Sequence, residues 1–250
     1  KYLSINLPLQ FQLKHSNKIS NMEELNKKKQ VRRIFDSISN RYDFLNHFLS
    51  AGIDFYWRNK AINLSRMNKD SILLDIACGT GDFAISAKKF GVEQIFGADL
   101  SFNMLSLFNK KAGWINGRNA QCVAEHLPYK EDSFTNITVA FGVRNFYNLE
   151  QGFKSFHRVL KLNGKATILE FRLPSNKFIR SFYMFYFNRI LPFIGGFISK
   201  DKEAYTYLPE SVEVFDKNID LVKLLYDCGF AEVKKYSATL GLVQIVIAQK

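Results

Sequence analysis

Cysteine is scarce in this chain, and metal-ligand spacings are missing altogether. Cys78, Cys122 and Cys228 lie far apart with no C-x-x-C pair, which excludes a disulfide framework, gives no zinc site, and makes a reducing cytoplasm the expected compartment. His126 has no second histidine spaced to join it, so it reads as a solvated loop residue and no metal is expected. The first ~20 residues lack the charged start, apolar run and small-residue cleavage site of a secretory signal. The longest apolar stretch, Phe178 to Ser199, carries Asn188 and Arg189 in its middle and is broken by Pro192 and Gly195-Gly196, so it does not read as a transmembrane span. There is no internal repeat and no linker to a second independent domain.

Acidic residues are also few, 23 against 35 Lys and Arg, for a net charge of +12. Such a surface attracts polyanions, whether nucleic acid or the anionic face of a membrane. Abundant Lys, Asn, Ile, Phe and Tyr also follow from an AT-rich genome, so the charge alone decides nothing.

The chain has 250 residues and 47% hydrophobic content, enough for one α/β domain with a single large core. Residues 1–28 show no clear period and end in a Lys/Asn-rich stretch, the pattern of a flexible arm. Residues 29–250 read as one domain. Between Val31 and Leu64 the pattern turns helical, with a turn near Gly52. From Ile72 onward, β-type runs (ILLDIA, IFGADL, QCVA, NITVAF, KATILEF, a run around Val233–Tyr236 and LVQIVIA) alternate with helical segments. That alternation predicts a mostly parallel, doubly wound seven-stranded sheet with an antiparallel pair at the C-terminus.

The sharpest local signal is Leu74-Asp75-Ile76-Ala77-Cys78-Gly79-Thr80-Gly81-Asp82, a buried strand running through a small-residue turn into a helix. Gly79 and Gly81 remove the Cβ atoms that would block a ligand from the backbone, and helix-start N–H groups favour a carboxylate or phosphate. Asp82 can instead be read as a simple N-cap. One strand later Asp99 ends the run Ile95-Phe96-Gly97-Ala98, about 20 residues on, where an acidic side chain accepts both hydroxyls of a ribose. A dinucleotide site shares that logic, but G-x-G-x-x-G is absent: the third position is Ala84.

The Asp75-x-Ala77-x-Gly79-x-Gly81 form resembles the first motif of class I methyltransferases, which implies a Rossmann-like fold and S-adenosylmethionine as cofactor. Cys122 to Pro128 matches the region that packs on the adenine in such enzymes. Four further stretches resemble the menaquinone/ubiquinone C-methyltransferase family: Phe35-Asp36-Ser37-Ile38 through Arg41-Tyr42-Asp43-Phe44-Leu45-Asn46-His47, Gly52-Ile53-Asp54 with Trp57-Arg58, Phe141-Gly142-Val143-Arg144-Asn145, and Ala204-Tyr205 with Tyr207-Leu208-Pro209-Glu210-Ser211. The resemblance spans roughly residues 30 to 250 and its motif order is specific.

The resemblance implies that Asp75, Gly79, Thr80, Gly81 and Asp99 hold the cofactor, that Val123 and Ala124 line its adenine, and that Arg144 and Asn145 face a prenylated quinol. The family commonly has Asp or Asn where this chain has Val123, so backbone groups or Glu125 must replace a missing hydrogen bond. Methylating a quinol carbon calls for a ring made electron-rich by ionising its hydroxyl. Arg144, permanently charged, is the candidate to hold the phenolate or a water acting as base, with Asn145 orienting the hydroxyl. Arg144 can alternatively cap its strand by pairing with Asp43 or Asp54. Tyr42 and His47 come from N-terminal helices that form a lid over the cofactor, and His47 is either the base or a structurally bonded histidine. Trp57, Tyr205 and Tyr207 read by default as packing residues.

Residues 170–215 form the expected inserted helical region, whose Phe178–Ser199 part resembles an interfacial helix pair dipping into a membrane, or a buried cap or homodimer face. Demethylmenaquinol is the expected substrate and a ubiquinone-pathway benzoquinol the alternative. The enzyme is expected in the cytoplasm or peripherally on the membrane's inner face. A nucleic-acid methyltransferase is disfavoured because the Asn/Asp-Pro-Pro-Tyr motif and any RNA-binding module are absent. A non-catalytic cofactor-binding protein is disfavoured by the intact Gly79, Gly81, Asp99 and Arg144.

Overall fold

The computed structural model describes residues 26–37, 39, 47, 50, 52–190 and 202–250, the side chains of 188, 190 and 202–206 excepted. Tyr42 and Asp43, the side chain of Tyr205 and the segment 191–201 therefore lie outside the described residues.

Seven strands form one sheet: β1 (Ile72–Ile76), β2 (Gln94–Asp99), β3 (Asn119–Gln121), β4 (Phe134–Ala140), β5 (Leu160–Phe171), β6 (Glu232–Ala238) and β7 (Val243–Gln249). Their order is β3-β2-β1-β4-β5-β7-β6. The first five run parallel, while β7 pairs antiparallel with both β5 and β6. The sheet is thus mixed, with its antiparallel part at the C-terminus as the run pattern predicts.

Alternating side chains sort the core into two layers, as the two-residue period of a strand requires. Leu74, Ile76, Ile137, Ile168 and Val246 pack on one face against α5 (Leu149–Val159) and α8 (Leu221–Asp227). Leu73, Ile95, Leu169, Ile245 and Ile247 pack on the other against α2 (Ile53–Ser65), α3 (Asp82–Lys89) and α4 (Phe102–Lys111). Asp75 shares the side of Leu73, so the one carboxylate of β1 is driven into an apolar layer.

Helix α1, residues 26–37, precedes α2. After β5 come α6 (Lys177–Phe185), a π-helical turn (Tyr186–Ile190) and α7 (Lys202–Asn218), in the region expected to carry inserted helices. The chain leaves β1 outward in both directions, to β2 and later to β4. A crevice therefore opens at the carboxyl ends of these strands, where α/β sheets of this topology bind ligands.

Candidate active site

At the end of β1 the backbone reverses through three left-handed residues, Ala77 (φ 49°), Gly79 (φ 55°) and Gly81 (φ 87°), before entering α3. A Cβ on Gly81 would sit 2.1 Å from the Phe108 ring, so only glycine fits this conformation and this packing. Gly81 is the N-cap and Asp82 the first helical residue, which corrects the reading of Asp82 as a cap. Across the crevice, a Cβ on Gly142 would lie 2.6 Å from the Ala77 Cβ; two glycine-dependent loops thus approach closely at the strand ends.

Asp99 closes the turn. Its Oδ2 accepts the Gly79 N–H and its Oδ1 the Ser101 N–H, both at 2.8 Å. Burial raises its pKa while these two amides pull it back. The Ser101 hydroxyl donates to Asp36 on α1, which draws that helix over the crevice.

Asp75 is fully buried. Thr138 donates to its Oδ1 at 2.7 Å and its Oδ2 has no partner. Burial pushes its pKa up to about 7, against the Thr138 hydrogen bond. It lines a smaller recess with Arg58, Thr80, Asp82 and Phe141.

The main cleft holds about 750 Å³, part of it open to solvent. Val31 and Phe35 of α1 cover it, Gly79 and Asp99 form one wall, Cys122–Glu125 lie at one end, and Phe141, Gly142 and Asn145 form the opposite wall. Strand β3 occupies Asn119–Gln121 and not the expected QCVA run, which leaves Val123 and Ala124 in the loop that lines the cleft. Glu125 is not a free substitute for the hydrogen bond that Val123 lacks. Its Oε1 accepts the N–H groups of Tyr147 and Asn148 at 2.9 and 3.1 Å.

The far wall rests on a buried ion pair that sequence reasoning missed. Arg144 Nη1 lies 2.8 Å from Glu170 Oε1, with side-chain exposures of 6% and 0%. The same guanidinium donates to the Phe141 carbonyl and, through Nε, to Ser211 at 3.3 Å. Among the described residues the acidic partner of Arg144 is Glu170, 26 residues away on β5; Asp54 is held by His47, Ser50 and Arg58, and Asp43 lies outside the described residues. Asn145, the next residue, does line the cleft, and Tyr207 on α7 donates to its Oδ1 at 2.8 Å. Tyr207, expected only to pack, is thus part of the site's frame.

His47 lies at the other side of the glycine turn. Its Nδ1 is 2.8 Å from Asp54 Oδ2 and its Nε2 3.6 Å from Asp82 Oδ2. Arg58 bridges the same two carboxylates, at 3.3 Å from Asp82, and Lys111 joins Asp82. Burial would raise the Asp54 pKa, but hydrogen bonds from Ser50 and Arg58 leave it lowered. Both ring nitrogens of His47 thus face carboxylates. His47, Asp54 and Asp82 also have the spacing of a cation site, but Arg58 already supplies the compensating charge there.

These residues fit a nucleoside carrying an amino-acid tail. Asp99 presents a carboxylate at the end of β2, the turn offers backbone unobstructed by side chains, and the orphaned Asp75 oxygen suits a cationic amine. The family model for the ubiE/COQ5 methyltransferase family matches residues 22–250. The chain belongs to this family. It is a methyltransferase that uses S-adenosylmethionine, the cofactor the cleft fits.

Similar proteins include a demethylmenaquinone methyltransferase from Chlorobaculum tepidum, 40% identical over 88% of this chain and 92% of its own length. A ubiquinone/menaquinone biosynthesis C-methyltransferase from Geotalea uraniireducens is 38% identical over 90% of this chain and 97% of its own. Among solved structures, a SAM-dependent methyltransferase from Aquifex aeolicus superposes with a TM-score of 0.54 at 14% identity, over 77% of this chain and 88% of its own. The [4+2]-cyclase SpnF superposes at 0.62 and 14% identity, over 89% and 96%. These structures establish the fold; a cyclase on the same frame shows that the fold alone does not set the reaction.

Proposed function

We propose that this family member methylates a ring carbon of demethylmenaquinol, the substrate class named for its relatives from Chlorobaculum and Bacteroides. The observation that carries the reading is the two-walled cleft: Asp99 and the glycine turn on one side, Asn145 held by Tyr207 on the other, and apolar Val31, Phe35 and Phe141 in a lining that suits a flat ring.

When bound, S-adenosylmethionine supplies an electrophilic methyl on a sulfonium. Asp99 would accept from its ribose hydroxyls, the Val123–Ala124 stretch would line its adenine, and Asp75 would face its amine. Thr80, at the turn, borders the smaller recess. Because Tyr207 donates to Asn145 Oδ1, the amide NH₂ of Asn145 is left to donate toward a quinol oxygen, stabilising the phenolate that makes the neighbouring carbon nucleophilic. The cofactor would supply the methyl and leave as the neutral thioether, while on the quinol side the ring-carbon proton is released to solvent and the ionised hydroxyl regains its own, one proton being lost overall. Arg144 acts through the 141–145 loop, which its bonds to Phe141 and Glu170 hold in place. It is a positioning residue in this scheme.

The test is incubation of the purified protein with methyl-labelled S-adenosylmethionine and reduced short-chain demethylmenaquinol in detergent. Asp99→Ala and Asn145→Ala variants are run alongside, and label entering the lipid is followed by mass spectrometry. Labelled menaquinol from the parent and its loss in both variants is the expected result. Label entering only a demethylated benzoquinol would move the assignment to the ubiquinone pathway, which the name of the Geotalea relative also allows.

A further inference from the structure

Amphipathic helices on a soluble domain normally turn their apolar stripe inward; α6 also turns one outward. Asn176 caps it, accepting the N–H groups of Phe178 and Ile179 at 2.9 and 3.2 Å. Its inner face packs Tyr183, with Phe187 just beyond it, against Leu173. On the outer face Phe178, Phe182 and Phe185 are 89%, 72% and 57% exposed. Their i, i+4, i+7 spacing puts them on one stripe.

The sequence around this stripe is cationic. From Arg172 to Arg189 the chain has Arg172, Lys177, Arg180 and Arg189 and no Asp or Glu. Of the four only Arg172 has an acidic partner among the described residues, Asp216 at 3.9 Å. A second apolar side chain, Leu240, is 76% exposed on the β6–β7 turn. The next residue in that turn, Gly241, lies against Pro174, just ahead of α6. No helix among the described residues is long and apolar enough to cross a membrane, so this stripe has the make-up of a surface that lies on a bilayer.

We infer that the Phe178–Phe182–Phe185 face of α6 seats the protein on an anionic lipid surface, with the flanking cations against the headgroups. Charge complementarity selects this occupant: a net +12 chain whose aromatic stripe is interleaved with Lys177 and Arg180, in a stretch from 172 to 189 without an acidic residue, matches phospholipid anions. The inner side of the same helix leads to the cleft through a run of ring contacts. Tyr183 meets Phe187 at 4.2 Å, Phe187 meets Phe171 at 6.3 Å, and Phe171 stacks on Phe141 of the cleft wall at 4.4 Å. If the substrate is the prenylated quinol proposed above, this apolar run lines its way from bilayer to site. The docking itself does not depend on that reading.

The experiment is co-sedimentation of the full chain with vesicles of equimolar phosphatidylcholine and phosphatidylglycerol, and with phosphatidylcholine alone. The expected result is binding to the anionic vesicles that falls by roughly 30-fold or more in the triple variant Phe178→Ser, Phe182→Ser, Phe185→Ser. It should also weaken in Lys177→Glu, Arg180→Glu and with added salt. As a second readout, Phe182→Trp should gain a fluorophore quenched by brominated lipid. Equal binding by parent and triple variant, or no binding by the parent, overturns the inference. So does a parent dimer that the triple variant dissolves without any change in vesicle binding, which would make the stripe a contact between copies. A tail-less, water-soluble demethylnaphthoquinol separates this outcome from the proposed function, since the triple variant should methylate it at the parent's rate.

Discussion

The two walls of the cleft are built by different means. On the β1–β2 side the working surface is main chain: a left-handed turn, a glycine that tolerates no Cβ, and Asp99 tied to two amides. On the β4–β5 side it is side chain: Arg144 on Glu170, Tyr207 on Asn145, and Phe141 stacked on Phe171. A backbone cradle is specified by a few contiguous residues. A side-chain frame is assembled from elements up to 67 residues apart, as Arg144 and Ser211 are. The first wall suits a constant ligand, the second a substrate that differs between enzymes sharing this fold.

The largest effect that would break this comparison is removal of the charge opposite Arg144. Glu170→Gln keeps the shape but takes the Glu170 charge away from a buried guanidinium, at a cost of about 3–5 kcal/mol. Chemical denaturation should show that loss, while the affinity of the remaining folded protein for S-adenosylmethionine changes little. A variant as stable as the parent would mean that the pair does not frame the wall.

Asp75 sharpens the comparison from the other side. In the unfolded chain its proton leaves near the usual carboxylate pKa, whereas in the fold burial holds it to about 7. Between these values the folded state binds more protons, so stability falls as pH rises and the loss is complete above about pH 7. From about pH 5 to about pH 7 the decline is on the order of 2 kcal/mol, and Asp75→Asn, which can still accept from Thr138, should flatten it. A cationic amine arriving at Asp75 should expel the same proton. Calorimetry of cofactor binding in two buffers of different ionisation heat, near pH 6.5 by the same linkage, should therefore show proton release in the parent and none in the variant. Identical proton counts would remove Asp75 from the cofactor's contacts.

The difference between the walls also explains what was legible in the sequence. Gly79, Gly81 and Asp99 announce themselves because residue type and local spacing carry the geometry. Most of the sheet was legible for the same reason, since β1, β2, β4, β5 and β7 contain apolar runs; β3, the short polar Asn119–Gln121, and β6, with Glu232, Lys234 and Lys235, do not. Glu170 was not, since a single carboxylate inside KATILEF looks like any strand-end acid until the fold brings β5 beside the Val143–Asn145 turn. From the sequence alone Arg144 pairs as readily with acids in the chain's N-terminal motifs, one of which, Asp54, is in fact shared by Ser50, His47 and Arg58. Tyr207 was hidden by its chemistry: an aromatic in a helix is most often packing, and only its hydroxyl on Asn145 sets it apart.

That hydroxyl supplies the smallest and most discriminating effect. Tyr207→Phe removes one hydrogen bond and keeps the ring, so stability should change by about 1 kcal/mol or less. Without the donor, Asn145 can turn its amide over and present oxygen to the quinol, where it repels a developing phenolate instead of stabilising it. The expected outcome is a drop in kcat of roughly fivefold to tenfold, with affinity for S-adenosylmethionine unchanged because the opposite wall is untouched. The deficit should shrink at high pH, where the quinol is already ionised and needs less help to lose its proton. A loss confined to KM, with kcat and its pH profile intact, would make Tyr207 a packing residue after all and leave Asn145 oriented by something else.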